Sequence, residues 1–210
     1  MNILQTSLKS SPKIRALLVT ALGLLLVAWA SNWNALQSHL GDIHSFKADF
    51  VQKKYLPALS RPLVSNGTVF YQAPGSLRWE YTSPMKSVTL LDQGRAVRYT
   101  FSNSQSHQEE GNALAVMQTV LSKMRDWLQG EFTDSSHFAA TLSSNGTITL
   151  TPRKEGLTEF ISHISLSLGQ KPGIIRSVTI VESPGSSTQI TFSNVHINCN
   201  LQPSIFEKPK

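Results

Sequence analysis

From Ser45 almost to the C terminus, short runs of alternating apolar and polar residues follow one another, each closed by glycine, proline, asparagine or aspartate. A period of two sends successive side chains to opposite faces of an extended strand. Connections this short join only antiparallel neighbours, because a parallel crossover needs a dozen residues or more. Residues 45–54, 68–72, 77–82, 87–91 and 96–102 therefore read as strands of an antiparallel meander. Residues 138–143, 147–151, 160–168, 174–182 and 188–194, the last extending toward 198, read as a second run. Asn66-Gly67 and Asn145-Gly146 are expected to be hairpin turns, and that reading takes precedence over the glycosylation sequon that each also matches.

Between the two runs the period changes. After a polar stretch, 103–112, apolar residues recur at Leu114, Met117, Leu121, Met124 and Leu128, which is one face of an amphipathic helix stopped by Gly130. A shorter helix is expected over 34–40. The fold class is thus mainly antiparallel β (α+β), one sheet interrupted once. A sheet of nine or more strands curls to hide a face, and two helices cannot form a full second layer over it. They can lie across its mouth, leaving a cavity or groove.

The first thirty residues stand apart. Lys9, Lys13 and Arg15 precede an uncharged run from Ala16 to Ala30 that ends in Ala28-Trp29-Ala30. That is the layout of a cleavable signal peptide, residues 1–30, cut before Ser31. The run falls short of the ~20 residues that span a bilayer; an uncleaved anchor is the rival reading. Ser31-Asn32-Trp33 offers no cysteine for a lipid anchor, so a soluble periplasmic domain is expected over 31–210. Without the leader the formal charge falls from +6 to +3, and no basic cluster with interleaved aromatics suggests nucleic acid. Cys199 is the single cysteine and reads as a buried, inert thiol within the last strand.

Catalytic chemistry is hard to find. The six histidines lack metal-ligand spacing, and no nucleophile elbow, phosphate loop or dinucleotide fingerprint occurs. The reading is of a non-enzyme with no cofactor and no metal. What stands out is apolar surface: Phe46, Phe50, Phe70, Leu77, Trp79, Tyr81, Val88, Leu90, Val97, Tyr99 and Phe101 along the meander, with Met117 and Leu121 on the helix. Part of this forms an ordinary core. The rest, for a curled sheet with little helical cover, faces a void or a ligand, and Leu77, Trp79 and Tyr81 are expected on the concave side.

These residues also carry a resemblance. Phe46-x-Ala48-x-Phe50-x-Gln52, then Gly67, then Pro74-x-x-Leu77-Arg78-Trp79-x-Tyr81-x-x-Pro84 is similar to the outer-membrane lipoprotein carrier family, LolA. The Asp92-x-Gly94 turn, Tyr99, and the ending Thr191-Phe192-Ser193-Asn194 with Phe206 continue it in order. The resemblance implies an unclosed β-barrel of some 9–11 strands with helices as a lid. It implies a monomer that shields the acyl chains of a lipoprotein or related lipid, taken from an inner-membrane release complex and passed to an outer-membrane acceptor. Where that family carries a lid-latching arginine before the motif proline, Ala73 stands here; Arg78 is the candidate replacement. The mid-chain and C-terminal stretches point to a divergent member. The rival function is an envelope lipid sensor or scaffold of the same fold that binds a partner without transferring cargo.

Overall fold

In the computed structural model the described residues are 43–92, 95–102, 105–109, 126–127, 137–153, 155–169, 174–182 and 185–209. They form eleven strands: β1 (Ser45–Tyr55), β2 (Leu63–Gln72), β3 (Ser76–Ser83), β4 (Ser87–Asp92), β5 (Arg95–Ser102), β6 (Gln105–Glu109), β7 (Phe138–Leu142), β8 (Thr147–Pro152), β9 (Ile161–Leu168), β10 (Ile175–Glu182) and β11 (Ser187–Ile197). All pair antiparallel in one sheet, ordered β6-β5-β4-β3-β2-β1-β11-β10-β9-β8-β7. Two meanders, β1–β6 and β7–β11, join where β1 lies beside β11. The edge strands β6 and β7 are not paired with each other, so the sheet is an unclosed barrel. The expected leader 1–30, the helix over 34–40 and all of the mid-chain helix but Asp126 and Trp127 lie outside the described residues.

Register divides the side chains cleanly. On the inner face stand Phe46, Ala48 and Phe50 of β1, opposite Tyr71, Val69 and Gly67 of β2. Leu77, Trp79 and Tyr81 of β3 continue that row, followed by Leu91, Thr89 and Ser87 of β4. On the other side of β1 the row runs through Phe192 and Ile190, then Val178 and Ile180, Leu166 and Ile164, and Ile148 and Leu150. These buried residues form one cluster from Leu91 to Phe138, as a sheet achieves by curling around its apolar face. The outer face of β8–β10 carries Thr147, Thr149, Ser165, Ser167, Ser177 and Thr179, small hydroxyl side chains suited to solvent.

Three expectations are corrected. Asn66-Gly67 is not a turn: both residues lie within β2, which begins at Leu63 because β1 runs on to Tyr55 and needs a partner along its length. Residues 105–109, part of the polar stretch 103–112 for which the sequence predicts no strand, form the edge strand β6; a strand polar on both faces gives no apolar alternation to detect. Cys199 lies beyond the end of β11, half-buried rather than enclosed in a strand. Asn145-Gly146 does turn the β7–β8 hairpin, with Gly146 at φ +76. Both prolines bounding β3 follow cis peptide bonds.

Candidate functional site

The centre of the inner face is a run of five aromatic rings. Phe46 meets Phe192 edge-on at 6.3 Å, and Phe192 meets Trp79 edge-on at 6.4 Å. Trp79 lies 4.3 Å from Phe50, which in turn meets Tyr81 edge-on at 5.3 Å. Glycine makes this possible. A Cβ on Gly67 would stand 2.4 Å from the Phe50 ring and 2.1 Å from the Glu80 carbonyl oxygen, so only hydrogen leaves room for the ring over β2.

Polar groups are set into this apolar face at a few points. The Tyr81 hydroxyl donates to Gln52 Oε1 at 2.8 Å. Burial pushes the Tyr81 phenol above its ordinary value, while Trp79, Arg98 and Gln52 pull the other way. The Trp79 indole N–H approaches that hydroxyl closely enough to favour its ionised form but completes no hydrogen bond, and is buried without an acceptor. At the end of the strands, Glu182 accepts from Lys54 and from Thr188 Oγ1, closing that part of the inner face with an ion pair.

Toward the opposite end, the inner face opens into a cavity of about 650 Å³. Phe192 and Val195 of β11, Leu168, Gly169 and Ile174 around the β9–β10 connection, Arg176 and Asn145 line it. The volume falls within the range of small-molecule sites. Its wall is mixed: four apolar side chains, Leu168, Ile174, Phe192 and Val195, stand beside the Arg176 guanidinium, the Asn145 amide and the backbone at Gly169.

The candidate residues named from sequence divide between the two faces. Phe46, Phe50, Leu77, Trp79 and Tyr81 share the inner face. Leu77 and Trp79 are sealed in the cluster, whereas Tyr81 is only partly buried against it. Phe70, Val88, Leu90, Val97 and Tyr99 project from the outer face, because each pairs across the ladder with a residue one step out of phase with Trp79. Met117 and Leu121 lie outside the described residues.

Arg78 also belongs to the outer face. Its Nη1 donates to the Ile205 carbonyl at 3.1 Å, and its Nε and Nη2 meet Glu80 Oε2 at 2.9 and 2.8 Å. It therefore holds the C-terminal 3₁₀ turn, Pro203–Phe206, against β3 rather than reaching across the inner face. Lys208 in the same tail lies over the Tyr99 ring at 5.7 Å. Tyr99 on the outer face thus helps to seat the tail, whereas Phe70 lies under Lys47.

The cavity residues were absent from the sequence-derived list. Their strands were legible, but the pairing of β1 with β11, which carries Phe192 beside Phe50, joins residues over 140 positions apart. No local pattern encodes it. Among the described residues no three His, Cys, Asp or Glu side chains gather as a metal site requires.

Residues 41–209 match the family model described as outer membrane lipoprotein carrier protein LolA. An outer-membrane lipoprotein carrier protein of Pseudoalteromonas translucida is 25% identical over 194 residues, covering 90% of this chain and 89% of its own. One of Methylococcus capsulatus is 27% identical over 207 residues, covering 93% of each. Among solved structures, a DUF1329 family protein from Desulfovibrio piger aligns with a TM-score of 0.49 at 11% identity, over 85% of this chain and 97% of that one.

Proposed function

The chain belongs to the outer membrane lipoprotein carrier (LolA) family, and from that membership we propose that it is a soluble periplasmic carrier. It shields the acyl chains of a lipoprotein or related lipid against its inner face and moves them from the inner to the outer membrane. One observation carries this reading: a single apolar face spans the unclosed barrel and opens into a cavity of about 650 Å³, where Leu168, Ile174, Phe192 and Val195 stand beside Arg176 and Asn145. Its four apolar side chains suit acyl chains, and Arg176 and Asn145 suit the polar headgroup that carries them.

The energetics favour a carrier over a store. Burying ~45 methylenes at about 0.8 kcal/mol each gives roughly 36 kcal/mol against water, beyond the ~21 kcal/mol that binding reaches in practice. The relevant alternative is a membrane, where the chains are already buried and the carrier gains little. Loading then requires a driven inner-membrane donor, and release runs downhill to an outer-membrane acceptor. The protein acts as a monomer in both steps, without cofactor or catalytic residues.

The test is a titration of the purified protein with a fluorescent fatty acid and with a diacylated peptide. Saturable uptake displaced by unlabelled acyl chains is expected. Absence of uptake, with the cavity filled by the protein's own side chains, would remove the proposal.

A further inference from the structure

Among the described residues, eight large apolar side chains are exposed, and six of them lie at one end of the strands. Tyr55 ends β1, Leu59 sits in the loop that follows, Leu63 and Val64 open β2, Met85 caps the β3–β4 turn, and Phe160 precedes β9. Antiparallel pairing places them together: Lys54 faces Leu63, Asn66 faces Ser83, Tyr55 faces Ser187, and Glu182 faces Ile161. The β10–β11 turn closes against the same rim, where a Cβ on Gly185 would meet Pro57 at 3.2 Å. Exposed apolar residues scattered singly need no explanation; six at one end do.

Charge accompanies them. Residues 53–65 and 83–87 contain Lys53, Lys54, Arg61 and Lys86 and no acidic residue. Lys54 is spent on Glu182, whereas Lys53, Arg61 and Lys86 are exposed beside Val64, Leu63 and Met85, with the Lys86 ammonium 4.7 Å from the centre of the Phe101 ring. Phe160 differs, since Glu155 and Glu159 share its turn.

The shape of the rim selects its partner. A protein partner requires a packed, complementary patch. Here the apolar side chains come from three segments, the β1–β2 connection with its strand ends, the β3–β4 turn and the turn before β9, and Met85 is 74% exposed. A fluid interface accepts such protruding side chains without a matching pocket for each, and anionic headgroups attract the cations between them. We propose that this rim seats the protein on an anionic phospholipid bilayer, with Leu59, Leu63 and Met85 entering the headgroup–acyl boundary and Lys53, Arg61 and Lys86 meeting the headgroups. The cavity residues Asn145, Gly169 and Val195 lie toward the other end of the strands. Vesicle binding and acyl uptake are therefore separate properties, and the proposal stands independently of the carrier reading.

The test is co-sedimentation of the purified soluble protein with vesicles of phosphatidylcholine alone or with phosphatidylglycerol added. Every variant keeps the same N terminus, so differences report the rim. Binding to the anionic vesicles is expected to fall about fivefold for each of Lys53→Gln, Arg61→Gln and Lys86→Gln, and to weaken in high salt. Leu59→Ser/Leu63→Ser/Met85→Ser should reduce it at least tenfold with an unchanged melting temperature, because these side chains are exposed. Phe160→Ser should leave it unaltered. Wild-type binding by the triple variant, or no binding to anionic vesicles, would overturn the proposal. So would a solution dimer that the triple variant splits, since the rim would then belong to a second copy.

Discussion

Gly67 and Phe50 show how one residue sets the inner face. The Phe50 ring occupies the space where any side chain on Gly67 would stand, and the Glu80 carbonyl blocks the remaining direction. Gly67→Ala is expected to destabilise the protein by about 3 kcal/mol, at the upper end of overpacking effects, because a backbone carbonyl cannot step aside; thermal denaturation measures it. Trp79→Phe keeps the ring stack and removes the indole N–H. Because that N–H is buried without an acceptor, folding stability should hold or rise slightly; a loss above about 1 kcal/mol in thermal denaturation would show that it has a partner. Tyr81 gives a pH signature. With its folded pKa raised, the phenol stays neutral in the folded protein while the unfolded chain ionises near pH 10. Its contribution is complete below that pH and is lost as pH rises from there through the folded pKa. Denaturation across the alkaline range should show this loss in the wild type and less of it in Tyr81→Phe.

At the scale of elements, alternation was a dependable guide and composition was not. Ten of the eleven strands were legible from their apolar period, and β6 was missed because a polar edge strand has none. Asn-Gly is ambiguous in the same way. In residues 145–146 it turns a hairpin, yet in 66–67 it lies inside a strand because a neighbouring ring needs the room. The candidate site was half legible. Leu77, Trp79 and Tyr81 share a face because strand geometry demands it. Phe70 and Val88, equally apolar, fall on the other side through a register that depends on pairing partners. Arg78 shares their face and ties down the C-terminal turn. Arg78→Ala should cost about 2 kcal/mol through the lost charge-assisted contacts and hasten hydrogen exchange in residues 203–207. Unchanged exchange there would mean that the tail is held by Lys208 and packing alone.

For the whole molecule, two meanders meeting at β1 and β11 produce a sheet that curls without closing, and its apolar lining runs unbroken across the seam. An open barrel with such a lining has a use if something apolar is put there and later removed, which is the carrier reading. The most direct measurement is mass spectrometry of organic extracts from the protein purified out of the envelope-soluble fraction of expressing cells. Wild-type protein should yield acylated lipid or lipopeptide in stoichiometric amount, and a variant that fills the cavity, such as Gly169→Leu, should yield much less. An extract empty of acyl chains from both proteins would contradict the account.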